Sequence, residues 1–236
     1  VARRGPAWGG LEAAARTARR AALTAARDDR PVLLAHTLDD QAETVLLGLA
    51  RGSGARSIAG MRAWHAPWGR PLLGVRRTDT LGACTELGLT PHHDPHNRDP
   101  GFTRVRLRTE VLPLLEDVLG GGAAAALART AAALRADNDL LDDLAADVYA
   151  RARAGSGDTG GLRVGVLAAA PAALRTRAVR RWLREVGATA PTSRLIAAVD
   201  ALIAGGRGQV AIGGTAAHRL VVAVDGGTLT TRSEPR

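Results

Sequence analysis

The densest group of reactive side chains is the run His36-Thr-Leu-Asp39-Asp40-Gln41-Ala-Glu43-Thr44. Asp39 and Glu43 lie four residues apart and Asp40 and Glu43 three apart, so on a helix these carboxylates share the face of its first turn. Gathered there, they can coordinate Mg²⁺, with Asp40 and Glu43 as ligands, or hold an amine. A purely structural use competes with this. Asp40-x-x-Glu43 resembles a capping box, and acids suit the positive end of a helix dipole. Capping accounts for one aspartate and Glu43, and leaves the second aspartate and His36 for chemistry.

Three other groups invite a chemical reading. His92, His93, Asp94 and His96 are metal-ligating types, but adjacent positions and neighbouring prolines oppose convergence, so ordinary loop polarity accounts for them. Arg104, Arg106 and Arg108 follow; Arg104 and Arg108 fall on one helical face, spaced either to grip successive phosphates or to stand in solvent. Further on, Arg177, Arg180, Arg181 and Arg184 form a stripe at i, i+3, i+4 and i+7, after an acidic stretch of Asp137, Asp139, Asp142, Asp143 and Asp147. Either the two sets pair across neighbouring helices, or the stripe contacts RNA backbone with a steep salt dependence.

The elements that must position these residues follow from periodicity. Residues 12–27 repeat apolar positions (Leu11, Ala14, Ala15, Ala18, Ala22, Leu23) at helical spacing. The run Pro31 to Ala35 is a short apolar strand, expected to be buried on both faces of a parallel sheet. Directly after it the period becomes helical, with Ala42, Val45, Leu46 and Leu49 inward, which puts the reactive run at a strand-to-helix junction, where open α/β sheets bind ligands. Arg51-Gly-Ser-Gly54 breaks that helix, and Gly60, Pro67 and Gly69 mark a loop before a strand or extended segment at residues 70–75. A short helix spans Thr78 to Leu87, a loop 90–101, and a helix Thr103 to Leu119 with a kink or boundary at Pro113. Gly120 to Gly122 reads as a linker between domains at 1–119 and 123–236. The second domain begins with a long helix at 123–153, continues with one after Pro171 and one from a Ser193 cap to Ala204, and ends in an antiparallel meander of QVAI, RLVVAV and TLTTR.

Composition bounds the function. At 236 residues and 46% apolar content the chain fits one large domain or two modest ones and can bury a core, though only 3% of residues are aromatic. No apolar run reaches the roughly 18 residues of a membrane span. The single cysteine, Cys84, excludes an internal disulfide and points to a reducing, cytoplasmic setting; no apolar stretch after a charged start marks a secretory signal. The Arg-rich start resembles a transit peptide, but Glu12 and the direct run into a strand argue for a folded element. All 32 basic residues are arginine, for a net charge of +9. This favours polyanionic partners, although nucleotide bias in the gene also explains the absence of lysine.

In order, LLAHTLDDQAETVLLGLARGSGARSIAGM, RPLLGV and DPHNRDPGFTRVRLRTEVLPLLE resemble tRNA(Ile)-lysidine synthetase, well over residues 11–119 and by architecture beyond. The resemblance implies an α/β fold: a partial Rossmann-like PP-loop ATPase domain, then a helical domain with a small C-terminal antiparallel β element. The implied reaction uses ATP and Mg²⁺ to adenylate C2 of the wobble cytidine in an isoleucine tRNA with a CAU anticodon, and free lysine then displaces AMP. By the same resemblance His36, Asp39, Asp40, Gln41 and Glu43 line the reaction centre, holding metal, cytosine or the lysine ammonium. Arg51, Asn97, Arg104 and Arg106 match later motif positions, with Val105 where an Asn is common; with Arg108, Arg177, Arg180, Arg181 and Arg184 they are the expected tRNA contacts. Homodimerisation is left open.

PP-loop enzymes begin with a strand and an SGGxDS loop whose amides cradle the phosphates, and that sequence does not occur here. The early glycines Gly5, Gly9 and Gly10 lack its context. The expectation is therefore a chain lacking the opening βαβ region, with an exposed apolar edge on its Pro31–Ala35 strand and no turnover by itself. Two rivals remain: a PP-loop tRNA cytidine thiolase, which relies on paired cysteines that Cys84 cannot supply, and a non-catalytic RNA-binding module.

Overall fold

The computed structural model describes residues 8–52, 54–92, 94–153, 160–189 and 191–236, with side chains from Ala14 onward except that of His96. Gly5, Ser53, His93 and the side chain of Leu11 lie outside this description. Two compact units, Val1–Arg135 and Ala136–Arg236, divide the chain within a long helix.

The first unit opens with α1 (Trp8–Ala26), then β1 (Val32–Leu33), α2 (Leu38–Arg51), α3 (Ala55–Ile58), β2 (Trp64–His65), β3 (Trp68–Gly69) and α4 (Arg77–Glu86). After the loop come α5 (Thr103–Arg106), a wide π turn (Leu107–Val111), α6 (Leu112–Val118) and the start of α7 (Ala123–Arg153). The sheet order is β1-β3-β2; β1 is parallel to β3, and β2 pairs antiparallel with it. This differs from the sequence expectation, which put a loop at 60–69 and extended chain at 70–75. Pairing falls instead on Trp68 and Gly69, and residues 71–74 form a turn closed by Val75 N–H donating to the Leu72 carbonyl. Gly69 explains the shift: a Cβ there would meet the Leu33 side chain at 2.8 Å and the Trp64 ring at 3.0 Å, so glycine lets the two flanking side chains close over the central strand.

β1 is not buried on both faces. Among the described residues it pairs only with β3, and Leu33 stands 66% exposed. The core beside the site forms where Ala42 of α2 meets Leu112 and Ala124, with Leu38, Leu46 and Leu127 packed around them. Leu49, expected inward, is 53% exposed. The inward stripe of α2 passes through buried Gly48, whose carbonyl accepts the Ser57 hydroxyl at 3.2 Å as α3 lies against it. The expected disturbance at Pro113 takes the form of the π turn ahead of it, where Leu112 N–H reaches back five residues to the Leu107 carbonyl. Proline has no N–H to continue the normal ladder.

The second unit contains the rest of α7, then β4 (Leu162–Arg163), α8 (Val164–Ala168), α9 (Ala172–Glu185), α10 (Ser193–Ile203), β5 (Gln209–Gly214), β6 (His218–Asp225) and β7 (Thr228–Pro235). Its sheet runs β4-β7-β6-β5, all antiparallel. Trp182, Leu183 and Val179 of α9 pack with Val199 of α10 and with Leu162, Val222 and Leu229 of the sheet, all essentially inaccessible. The Trp182 indole N–H is satisfied by the Gly160 carbonyl at 2.9 Å. The cap of α10 is Thr192, whose hydroxyl accepts from Leu195 N–H at 3.2 Å, so the helix starts at Ser193 rather than being capped by it. Among the described residues no single helix is long and apolar enough to cross a membrane.

Candidate functional site

The head of α2 is fixed by a box three residues earlier than the sequence suggests. Thr37 is the cap: Asp40 Oδ2 accepts from the Thr37 backbone N–H at 2.8 Å and from its hydroxyl at 2.9 Å, and Asp40 N–H donates back to Thr37 Oγ1. The pair is thus Thr37 and Asp40, not Asp40 and Glu43. Asp39 also has a structural partner. Its Oδ2 accepts the backbone N–H of Arg77 at 2.7 Å and its Oδ1 lies 3.1 Å from the Arg76 guanidinium, so it caps α4 from the neighbouring helix.

Three arginines converge on the remaining acceptors. Asp40 Oδ1 receives Arg77 at 2.7 Å and Arg108 at 3.3 Å. Glu43 is 0% exposed; its Oε1 accepts Arg108 Nε–H at 2.7 Å, whereas Oε2 makes no hydrogen bond and has Arg104 at 3.6 Å. Burial works against the Asp40 charge, but the Thr37 backbone hydrogen bond, Arg77, the Thr37 hydroxyl and Arg108 outweigh it and hold the carboxyl below its ordinary range. Burial pushes the His36 pKa down, helped by Arg70, Arg16 and Arg104 and opposed by Asp40, so its imidazole is neutral near pH 7. Its Nδ1 is buried without a hydrogen-bond partner.

Gln41 does something else. Its carboxamide accepts Met61 N–H at 2.6 Å and donates to the Met61 carbonyl at 2.9 Å, over Gly60 at φ +63°, and so fastens the loop after α3 to α2. Glycine is required there both by that φ and because a Cβ would sit 2.6 Å from the Gln41 oxygen.

A divalent cation does not fit this arrangement. Mg²⁺ needs open oxygen ligands in near-octahedral order. Both Asp40 oxygens are taken by donors, Glu43 faces two guanidiniums, and among the described residues no three His, Cys, Asp or Glu side chains group to hold a metal. The amine reading is chemically easier, since an ammonium can replace a guanidinium as donor to the same oxygens.

The site therefore joins His36, Asp39, Asp40 and Glu43 with Arg104 and Arg108. The latter two turn inward to carboxylates and are not an outward phosphate-gripping face; Arg106 is the outward one, paired with Glu110 at 2.7 Å. Arg51 and Asn97 are exposed, in the last turn of α2 and in the short turn Pro95–Asn97. Arg76 and Arg77 are missing from the sequence reading. Their signal was electrostatic: two arginines opening a helix sit at the wrong end of its dipole, which calls for carboxylate partners from elsewhere.

In the second unit the arginine stripe is divided. Arg177, with a side chain 15% exposed, donates to Asp142 at 2.9 Å and to Asn138 at 2.8 Å, so at this position the helix-to-helix pairing holds. Arg180 donates to the Pro191 carbonyl at 3.2 Å. Arg181 lies over the Tyr149 ring at 4.6 Å and pairs with Glu185, while Arg184 stands exposed.

Residues 2–115 match a family model described as PP-loop domain, and residues 162–220 one described as TilS substrate binding domain. With its parallel strand pair and its strand-to-helix junction, the first unit thus belongs to the ATP-using PP-loop class. The chain is 66% identical over 231 residues, 97% of its length and 71% of the relative's, to the tRNA(Ile)-lysidine synthase of Nocardia farcinica. Matches at 59% over 97% of the chain and 70% of the relative, and at 60% over 97% and 72%, join it to the same-named proteins of Rhodococcus erythropolis and Mycobacterium tuberculosis H37Rv. The chain belongs to the tRNA(Ile)-lysidine synthase family.

Proposed function

We propose that the chain serves ATP-dependent ligation of free lysine to C2 of the wobble cytidine in an isoleucine tRNA with a CAU anticodon. The observation that carries this reading is the meeting of the two motif segments, the head of α2 and Arg104 with Arg108, around a buried glutamate in a chain of this family. ATP supplies the adenylyl group that makes C2 electrophilic, and Mg²⁺ travels with its phosphates rather than on Asp40 and Glu43. Those two carboxylates receive the lysine amine. His36, kept neutral by burial, is a base suited to take the proton that the ammonium must lose before attack. The C2–N bond forms as the bond from C2 to the adenylyl oxygen breaks and AMP leaves. Exposed Arg184, with Arg51 and Asn97, stands where tRNA contact costs no ion pair among the described residues. A tRNA substrate and a single cysteine support a cytoplasmic setting.

The test is lysidine formation followed by nucleoside mass spectrometry. The 236 residues contain no SGGxDS sequence, so the chain alone is expected to bind tRNA without forming lysidine. A chimera adding that loop with its strand and helix from a relative is expected to form it. A folded, tRNA-binding chimera that makes no lysidine in the presence of ATP and lysine removes the proposal.

A further inference from the structure

We infer that Arg108 is an internal placeholder for a substrate cation: its guanidinium holds the two carboxylates that a primary ammonium would take, and it must withdraw for that ammonium to bind. This rests on the reading above that Asp40 and Glu43 receive the amine. A permanent buried ion pair between arginine and carboxylate is expected to be a two-pronged fork with both oxygens satisfied. Arg108 is instead spread over two acids, giving Nε–H to Glu43 at 2.7 Å and its terminal nitrogen to Asp40 at 3.3 Å. Glu43 Oε2, on a fully buried side chain, is left without a hydrogen bond. Its facing cation, Arg104, stands at 3.6 Å, beyond hydrogen-bond distance, so this acceptor still has room for a closer donor.

Charge balance requires the withdrawal. Arg77, Arg104 and Arg108 already face Asp40 and Glu43, and a further cation among them would meet net repulsion unless a guanidinium left. Which partner moves follows from the elements. Asp40 stands on the first turn of α2, locked by the Thr37 box, while Asp39 beside it caps α4; Glu43 stands one turn further on, fully buried. Arg108 stands in the π turn Leu107–Val111, a register that can convert to α-helix and swing a side chain around the axis. At 24% exposure its side chain already reaches solvent, which gives it a path out.

The test uses the 236-residue chain and two probes, lysine and n-butylammonium, with binding followed by calorimetry. Arg108→Ala is expected to bind n-butylammonium more tightly by about fivefold or more, the usual lower range of coupling between competing groups. Arg108→Lys keeps a cation in place and should stay within about twofold of the unsubstituted chain. If Arg108→Ala fails to fold, the Arg108 Nε–H resonance of the unsubstituted chain serves instead; it should lose its protected hydrogen-bonded position in step with n-butylammonium binding. No gain in Arg108→Ala, or an unchanged Nε–H signal at saturation, overturns the placeholder. A gain for n-butylammonium without any lysine binding upholds it and removes lysine from the proposed function.

Discussion

At the residue scale, four acidic or hydroxyl side chains at one helix head share out different tasks. Thr37 and Asp40 close the first turn of α2, Asp39 closes that of α4, and Glu43 is buried with one oxygen that faces Arg104 but makes no hydrogen bond. Thr37→Ala is therefore expected to lower the stability of the first unit by about 1 kcal/mol, read from denaturant midpoints. In the active chimera, Glu43→Gln should abolish lysidine formation by about a hundredfold or more while Asp39→Asn costs stability first; equal, few-fold losses for both would reduce Glu43 to a structural residue. A separate titration can be followed at Tyr149, the chain's single tyrosine. Burial and its hydrogen bond to Glu185 push its pKa up to about 12. A raised folded-state pKa means that this contribution to stability is complete below the unfolded value of about 10 and is lost as pH rises through 12. Phenolate absorbance should show a midpoint near 12 in the folded chain; a midpoint near 10 would mean that the Glu185 contact does not form in solution.

At the element scale, long periodic segments were legible, and of the two-residue strands only β1 was, within the apolar run Pro31–Ala35. The helical period placed α2, α7, α9 and α10 because a buried stripe of 3.6 residues repeats over several turns. β1 to β4 are two residues each, too short for any period, and are fixed by partners distant in sequence. Gly48 shows the same dependence. Ala is normally the better helix former, by about 1 kcal/mol. Here an added Cβ would run into the Ser57 carbonyl of α3, so Gly48→Ala should destabilise the first unit by about 1–3 kcal/mol. A thermal shift upward in that variant would show that α3 does not pack on α2 as described.

At the scale of the whole molecule, the chain is two compact units with a surplus of positive charge, and that surplus is not uniformly available. Arg184→Ala should leave the fold intact and reduce the salt dependence of tRNA binding by somewhat less than one unit of slope. Arg177→Glu should instead unsettle the second unit, because it breaks the contacts to Asp142 and Asn138. An Arg177 variant that stays fully folded and loses only salt slope would reverse these roles. The sequence by itself determined the family resemblance, the helices with their buried stripes, the C-terminal meander and the cluster at the head of α2, since all of these are written in local order and spacing. Only the tertiary structure decided which acid does what. Asp39 could not be distinguished from Asp40 or Glu43 until Arg76 and Arg77 arrived from the head of α4, Arg104 from α5 and Arg108 from the π turn, because a carboxylate's role is set by the donors that reach it, and here those donors come from elements distant in sequence.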